Sequence, residues 1–300
     1  MIIGISIDIS QLNECYDLIT QNLDVINHIQ IYLDDRPLYL QKEEILKFQK
    51  IFSSEHLTYS LHGYGYINLC ENIVEIRKSW LDIACKTIFL AQETSCIFVN
   101  YHMGYTFTKS ATRKMLLENL CESLEVLSKY AQESLIEINI ENDFNTTEFQ
   151  RLGSQVEDLD LIISRNYPHL KLCYDIGHAN IAFACPYEYR KYIKFIQSLH
   201  IHNNWGNDDV HNPFGDSGSI DLDYVLTELI NNDVFFILEN ELNMYNIALK
   251  NIRKNEYKSL IVGNSSGFPI CKDIFFKNLL DSLCNRTPAI SISINLFKEV

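Results

Sequence analysis

The chain has 300 residues, with 25 Lys plus Arg against 39 Asp plus Glu and a formal net charge of −14. Hydrophobic residues make up 47% and charged residues 21%, a globular balance that excludes disordered, collagen-like and coiled-coil readings. The acidic excess weighs against general nucleic-acid binding, which needs clustered Lys and Arg.

The first residues, Ile2-Ile3-Gly4-Ile5-Ser6-Ile7-Asp8, carry no basic flank and meet an acid early, so they read as a strand and not as a signal peptide. Similar β-rich runs follow at 28–33, 57–62, 96–102, 135–141, 170–175, 198–202 and 234–239, eight with the first at 2–9. Several are apolar nearly throughout, such as Val234-Phe235-Phe236-Ile237-Leu238, which suits parallel strands covered on both faces. Between them, segments 79–90, 116–130 and 221–230 repeat apolar residues at helical spacing. Eight consecutive βα units predict an α/β fold, a (β/α)8 TIM barrel. A doubly wound open sheet would need a Gly-rich turn after the first strand, and Asp8-Ile9-Ser10-Gln11 is not one.

The barrel is expected over 1–258, followed by a C-terminal extension over 259–300. The extension holds a predicted helix near 272–284 and an alternating stretch, Ile290-Ser291-Ile292-Ser293-Ile294, suited to an added strand. A packing role is the plain reading; a subunit contact, and so a homo-oligomer, or an active-site cover is the sharper one. No apolar run approaches the ~18 residues that a membrane span needs. The nine cysteines are odd in number and form no C-x-x-C, which predicts reduced thiols in a cytoplasmic protein.

The predicted strand ends carry the chemistry. His62, His102 and Glu141 end the third, fourth and fifth strands, and Asp175 and His178 follow the sixth. The seventh carries His200 and His202, then Asp209 and His211, and the eighth ends in Glu239. Strand carboxyl ends of such a barrel open on one face, so these side chains are expected to converge there. Histidines mixed with carboxylates in that number suit a borderline divalent metal. His28, His56 and His169 fall at strand entrances and read as structural or surface residues.

The stretches Leu61-His62-Gly63-Tyr64-Gly65, Asn100-Tyr101-His102-Met103-Gly104, Ile140-Glu141-Asn142 and Tyr174-Asp175-Ile176-Gly177-His178-Ala179 belong together. With His200-Ile201-His202-Asn203-Asn204-Trp205-Gly206, Asp209-Val210-His211 and Ile237-Leu238-Glu239, they make the sequence resemble the xylose isomerase-like TIM-barrel superfamily. That group includes sugar and sugar-phosphate isomerases and epimerases and the endonuclease IV (AP endonuclease family 2) enzymes. The resemblance implies nine metal ligands: His62, His102, Glu141, Asp175, His178, His200, Asp209, His211 and Glu239. Used in full, endonuclease-IV-like, the set holds up to three zinc ions. Used in part, as Glu141, Asp175, His200 and Glu239, it holds one Mn, Mg or Co ion. The nine comprise four carboxylates and five imidazoles, so three Zn2+ leave a net +2 suited to phosphate. One divalent ion on the smaller set leaves −1, suited to a neutral polyol.

The resulting expectation is a metal-dependent isomerase or epimerase. Its small-molecule substrate would be a polyol, sugar or sugar-phosphate. Glu141 and Glu239 would be the catalytic acid–base pair, and His178, His202, Tyr64 and Trp205 would be substrate-binding. His202 is also placed to orient a metal ligand. Tyr105 and Phe214 are further candidate wall residues. The alternative is a zinc phosphodiesterase acting on abasic DNA, and only that reading brings in nucleic acid. Three departures from the endonuclease pattern count against it: Val210 in place of Arg, Asn203 and Asn204 in place of Asp, and an acidic loop at Asp34-Asp35-Arg36-Pro37. A degenerate, non-catalytic metal-binding barrel is the third reading.

Overall fold

A computed structural model describes residues 2–108, 110–183, 185–213, 217–229 and 232–263, with side chains described as far as Lys254. Phe214, Cys271, Cys284, the expected helix at 272–284 and the stretch at 290–294 fall outside these residues. The chain divides into two compact units, Met1–Lys254 and Asn255–Val300, and the barrel belongs to the first.

Among the described residues ten strands form in chain order: β1 Ile2–Asp8, β2 His28–Tyr32, β3 Thr58–His62, β4 Phe98–His102, β5 Tyr105–Thr106, β6 Glu137–Glu141, β7 Gln150–Arg151, β8 Leu170–Asp175, β9 Ile196–Ile201 and β10 Phe235–Leu238. Eight close into a barrel in the order β1-β10-β9-β8-β6-β4-β3-β2, every neighbouring pair parallel. The expected (β/α)8 architecture is therefore present. The two remaining strands pair antiparallel, Tyr105 with Arg151 and Thr106 with Gln150, as a small flap. The helices are α1 Tyr16–Gln21, α2 Leu38–Ile51, α3 Val74–Glu93, α4 Arg113–Ser134, α5 Val156–Ser164, α6 Ile176–Ala182, α7 Tyr189–Tyr192, α8 Leu222–Leu229 and α9 Tyr245–Gly263. The last runs through residue 258, where the sequence suggested the barrel would end.

Strand alternation sorts the barrel into an apolar outside and a polar inside. Ile5, Ile29, Leu61, Val99, Tyr101, Ile138, Ile140 and Leu199 face out into the main core, with Ala84 and Ile88 of α3 and Leu120, Leu124 and Leu127 of α4. The Tyr101 hydroxyl donates to the Ala84 carbonyl at 2.8 Å, fixing α3 over β4. On the inside, His28 meets Phe98 and Phe235 at 5.5 and 4.7 Å between ring centres, making a floor from β2, β4 and β10. The Thr58 and Ser60 hydroxyls take both His28 nitrogens at 2.8 Å, and burial lowers its pKa to about 3. His28 is thus a neutral structural residue, and His169 pairs with Glu137 at 3.1 Å on the same lower end.

Above the floor lies a layer that is polar where such barrels usually carry Val, Ile or Leu. Gln30, Ser60, Asn100, Asn139 and Ser198 are all fully buried there. Asn139 donates to the Ser198 hydroxyl at 3.2 Å, and the Asn100 amide meets His200 Nε2 at 2.9 Å. This layer supports the strand ends from below. Elsewhere, the seven described cysteines are free, and no described helix is long and apolar enough to cross a membrane.

Candidate metal centre

The ends of β3, β4, β6, β8, β9 and β10 bring the expected residues together. His62 Nε2 lies 3.2 Å from Glu141 Oε2. His200 Nδ1 lies 3.2 Å from Glu141 Oε1, 3.2 Å from Glu239 Oε1 and 3.8 Å from Asp175 Oδ2. Asp209 Oδ2 lies 3.4 Å from His178 Nε2 and 3.2 Å from His211 Nε2. The His102 ring is 5.2 Å from that of His62 and 6.2 Å from that of His178, which joins the two ends of the cluster. The nine side chains that the resemblance implies as ligands therefore line one bowl. Glu141, Asp175, His62, His178 and His200 are buried; His102, Asp209, His211 and Glu239 keep partial exposure.

The tautomers fit a metal. His62 Nδ1 donates to the Gly63 carbonyl at 2.8 Å, His178 Nδ1 to the Asn142 carbonyl at 2.9 Å, and His211 Nδ1 to the Glu239 carbonyl at 2.9 Å. A carbonyl only accepts, so each Nδ1 holds the proton and each Nε2 turns a lone pair toward the carboxylates. His200 is reversed: its Nε2 faces Asn100, and Nδ1 faces the acids. Among the described residues, donor atoms lie within 4.8 Å of one another in four groupings: His62, Glu141 and His200; Asp175, His200 and Glu239; Asp175, His178 and His202; and His202, His211 and Glu239. Buried lone pairs facing buried carboxylates could be bridged by a shared cation, and oxygen plus imidazole donors suit Zn2+, Mn2+ or Co2+.

Without a metal, protons take that place. Burial alone would raise the Glu141 carboxyl, but His200, His102 and His62 hold it well below the usual range. Asp175 is likewise lowered against its own burial by His178 and His202, and Asp209 by His178 and His211. Burial works against protonation of His178 and His200, yet the surrounding acids raise both well above an ordinary imidazole, and His211 rises to about 9.

Several contributors were assigned no role from the sequence. Asn142 donates to the Asp175 carbonyl at 2.8 Å and accepts from the Asp175 amide at 2.7 Å, clamping the end of β6 to the end of β8. Asp143 faces His102 Nδ1 at 3.3 Å and takes Arg151 of the flap at 3.0 and 3.1 Å. Tyr32 stacks on His62 with ring centres 4.3 Å apart. Only the position of Asn142 and Asp143, directly after Glu141, could have pointed to them.

The expected substrate-binding residues are scattered by comparison. Tyr64 is half-buried, and its hydroxyl donates to the Arg36 carbonyl at 3.0 Å. Trp205 is 65% exposed, beside Gly206 at φ +82°. Tyr105 packs edge-on against Phe149 at 5.2 Å. His178 stands inside the cluster. His202 is fully buried, with Nε2 on Asp175 at 3.1 and 3.2 Å.

A closed parallel barrel with histidines and acids gathered at its carboxyl face marks a well-defined class of α/β protein. The family model described as xylose isomerase-like TIM barrel matches residues 25–254, and the chain belongs to that family. A search of the curated proteins finds no match. Among solved structures, a D-tagatose 3-epimerase-like protein is 23% identical, with a TM-score of 0.75, covering 89% of this chain and 100% of its own. The TTHB071 protein from Thermus thermophilus, soaked with ZnCl2, is 18% identical with a TM-score of 0.69, covering 86% and 99%. The 3-keto-D-glucoside 4-epimerase YcjR from E. coli is 16% identical with a TM-score of 0.67, also covering 86% and 99%. At these identities the likeness establishes the fold.

Proposed function

We propose that the protein is a divalent-metal-dependent isomerase or epimerase of a sugar or sugar-like carbonyl compound. One observation carries this reading: Glu141 and Glu239 each place a carboxylate oxygen 3.2 Å from His200 Nδ1, approaching a single position from the ends of β6 and β10, two strands that do not pair. Glu141, Asp175, His200 and Glu239 would hold the ion, which when bound would polarise a substrate carbonyl. The two glutamates then serve the two faces of the adjacent carbon, one taking a proton and the other returning it. His200 is kept in register by Asn100, and Asp175 by Asn142. The names of the D-tagatose 3-epimerase-like protein and the 3-keto-D-glucoside 4-epimerase support a sugar substrate.

The test is solvent-isotope exchange. Protein loaded with Mn2+ or Co2+ and incubated with ketohexoses in 2H2O is expected to place deuterium at the isomerised carbon. Glu239→Gln is expected to slow that exchange by roughly 10²–10⁴. Exchange by the variant at the parental rate overturns the assignment.

A second reading has its own support. Asp209 stands between His178 and His211, a grouping that a one-metal site does not require. With His62 and His102 it completes a set for three zinc ions, as in a phosphodiesterase of the endonuclease IV type. The loop after β2 weighs against a DNA-facing mouth, since Arg36 there is taken by Asp34 and Glu44 at 2.6 and 2.8 Å. Three zinc ions per chain together with cleavage of abasic DNA would establish this reading in place of the first.

A further inference from the structure

His202 differs from the other imidazoles of the bowl. In His62, His178 and His211 a main-chain carbonyl holds the Nδ1 proton, in His200 the Asn100 amide faces Nε2, and in His102 Nδ1 faces the Asp143 carboxylate at 3.3 Å. His202 Nδ1 is buried and has no hydrogen-bond partner among the described residues. Its Nε2 faces Asp175 Oδ1 and Oδ2 at 3.1 and 3.2 Å and Asp209 Oδ1 at 3.6 Å. A neutral imidazole has one N–H and one lone pair. With the proton on Nδ1, a buried donor would be left unbonded, at a cost of about 1–3 kcal/mol, while a lone pair faced two carboxylate oxygens. With the proton on Nε2, the N–H points at those oxygens instead.

Packing fixes the plane and position of the ring. It lies parallel to His211, 3.9 Å between centres and 2° between planes. Its edge occupies the space where residue 177 has no side chain, since a Cβ on Gly177 would overlap the His202 ring. The residue is fully buried, with one face on His211 and one edge against Gly177.

We infer that His202 is a positioning residue that donates Nε2–H to Asp175, and is neither a metal ligand nor a substrate contact. The inference rests on the metal-dependent reading above. Asp175 Oδ1 also accepts from the His178 amide at 2.7 Å, and His202 Nε2 spans both oxygens, so the two donors together hold the orientation of the carboxylate. Oδ2, which lies 3.8 Å from His200 Nδ1, is thereby turned toward the place where His200, Glu141 and Glu239 meet.

The test compares wild type with H202Q, H202N and H202L in the full chain. Metal content is read by elemental analysis, Co2+ affinity by competition with a chelating dye, and coordination by the visible spectrum of the Co2+ form. The Gln amide nitrogen can reach the place of Nε2, whereas the Asn nitrogen overlays Nδ1. H202Q is therefore expected to keep the wild-type number of ions, the Co2+ spectrum and the affinity. H202N and H202L should keep the number of ions and bind the weakest one roughly 10–100-fold less tightly. Loss of an ion or a changed Co2+ spectrum in H202Q would make His202 a ligand and overturn the inference. So would wild-type affinity in both H202N and H202L, or a raised KM with affinity unchanged. Wild-type protein that takes up no divalent ion would instead bring down the metal reading itself. H202N stands in if H202L does not fold.

Discussion

One amide side chain fastens two strands that carry candidate ligands. Asn142 bonds both the amide and the carbonyl of Asp175, and all of these groups are buried. Asn142→Leu keeps the branched shape but strands a donor and an acceptor, each worth about 1–3 kcal/mol, so urea unfolding of the metal-free protein should show a loss of about 2–6 kcal/mol. A loss under about 1 kcal/mol would mean that the clamp is dispensable. At the same scale, His28 is held neutral with a pKa of about 3, against 6.5 in an unfolded chain. Unfolding therefore takes up a proton between those values, and the stability that His28 contributes is complete above pH 6.5 and lost as pH falls toward 3. His28→Gln should flatten the acid side of the stability profile by about 1.4 kcal/mol per pH unit between about pH 6 and 4. Identical slopes for the two proteins would contradict this. The convergence of nine side chains was legible because each stands at or just beyond the end of a β-rich run, where barrel topology alone decides the face. The roles of Asn142, Asn100 and Asp143 were not legible, since Asp175 and His102 are brought to Asn142 and Asp143 by strand pairing, and His200 is brought to Asn100 across the barrel by its closure.

At the scale of elements, α6 and the end of β9 share one close approach. The first turn of α6 follows Asp175, which caps it by accepting from the His178 amide, and Gly177 in that turn leaves room for the His202 ring. Gly177→Ala should cost about 1–3 kcal/mol through overpacking. Most of that cost should vanish in a Gly177→Ala/His202→Ala background, because the two positions touch. Additive effects in the four-protein cycle would sink the idea of a shared space. The strands themselves were readable to within about two residues, since parallel barrel strands are short apolar runs with polar ends. The flap of β5 and β7 was not, because two residues in each strand hold no periodicity to read. It is held by Asn68, which bonds the Tyr105 amide and carbonyl, and by Arg151 on Asp143.

At the scale of the whole molecule, pH acts on the bowl from both sides. In metal-free protein His211 has a raised pKa of about 9, and His178 and His200 are raised as well. Groups raised above 6.5 contribute stability that is complete below pH 6.5 and lost as pH climbs through their folded values. Glu141, Asp175 and Asp209 are lowered, so their contribution holds above the ordinary carboxylate range and is lost in acid. The urea midpoint of chelator-treated protein should therefore decline between about pH 7 and 9. Zn2+ or Mn2+ should remove that decline, because metal ligation requires neutral imidazoles. For the same reason, metal uptake near neutral pH should release protons, seen as a dependence of the binding heat on the buffer used. A heat independent of buffer would show that the imidazoles were already neutral.

The pairing of β1 with β10 has a consequence for synthesis. A nascent chain carries its first strand long before residues 235–238 exist, so the ring stays open on the ribosome until almost the whole barrel has been translated. Glu239 emerges directly after that closing strand. A truncated product would therefore lack both the seam and the last acid of the bowl, and tight retention of an ion would distinguish finished molecules from unfinished ones.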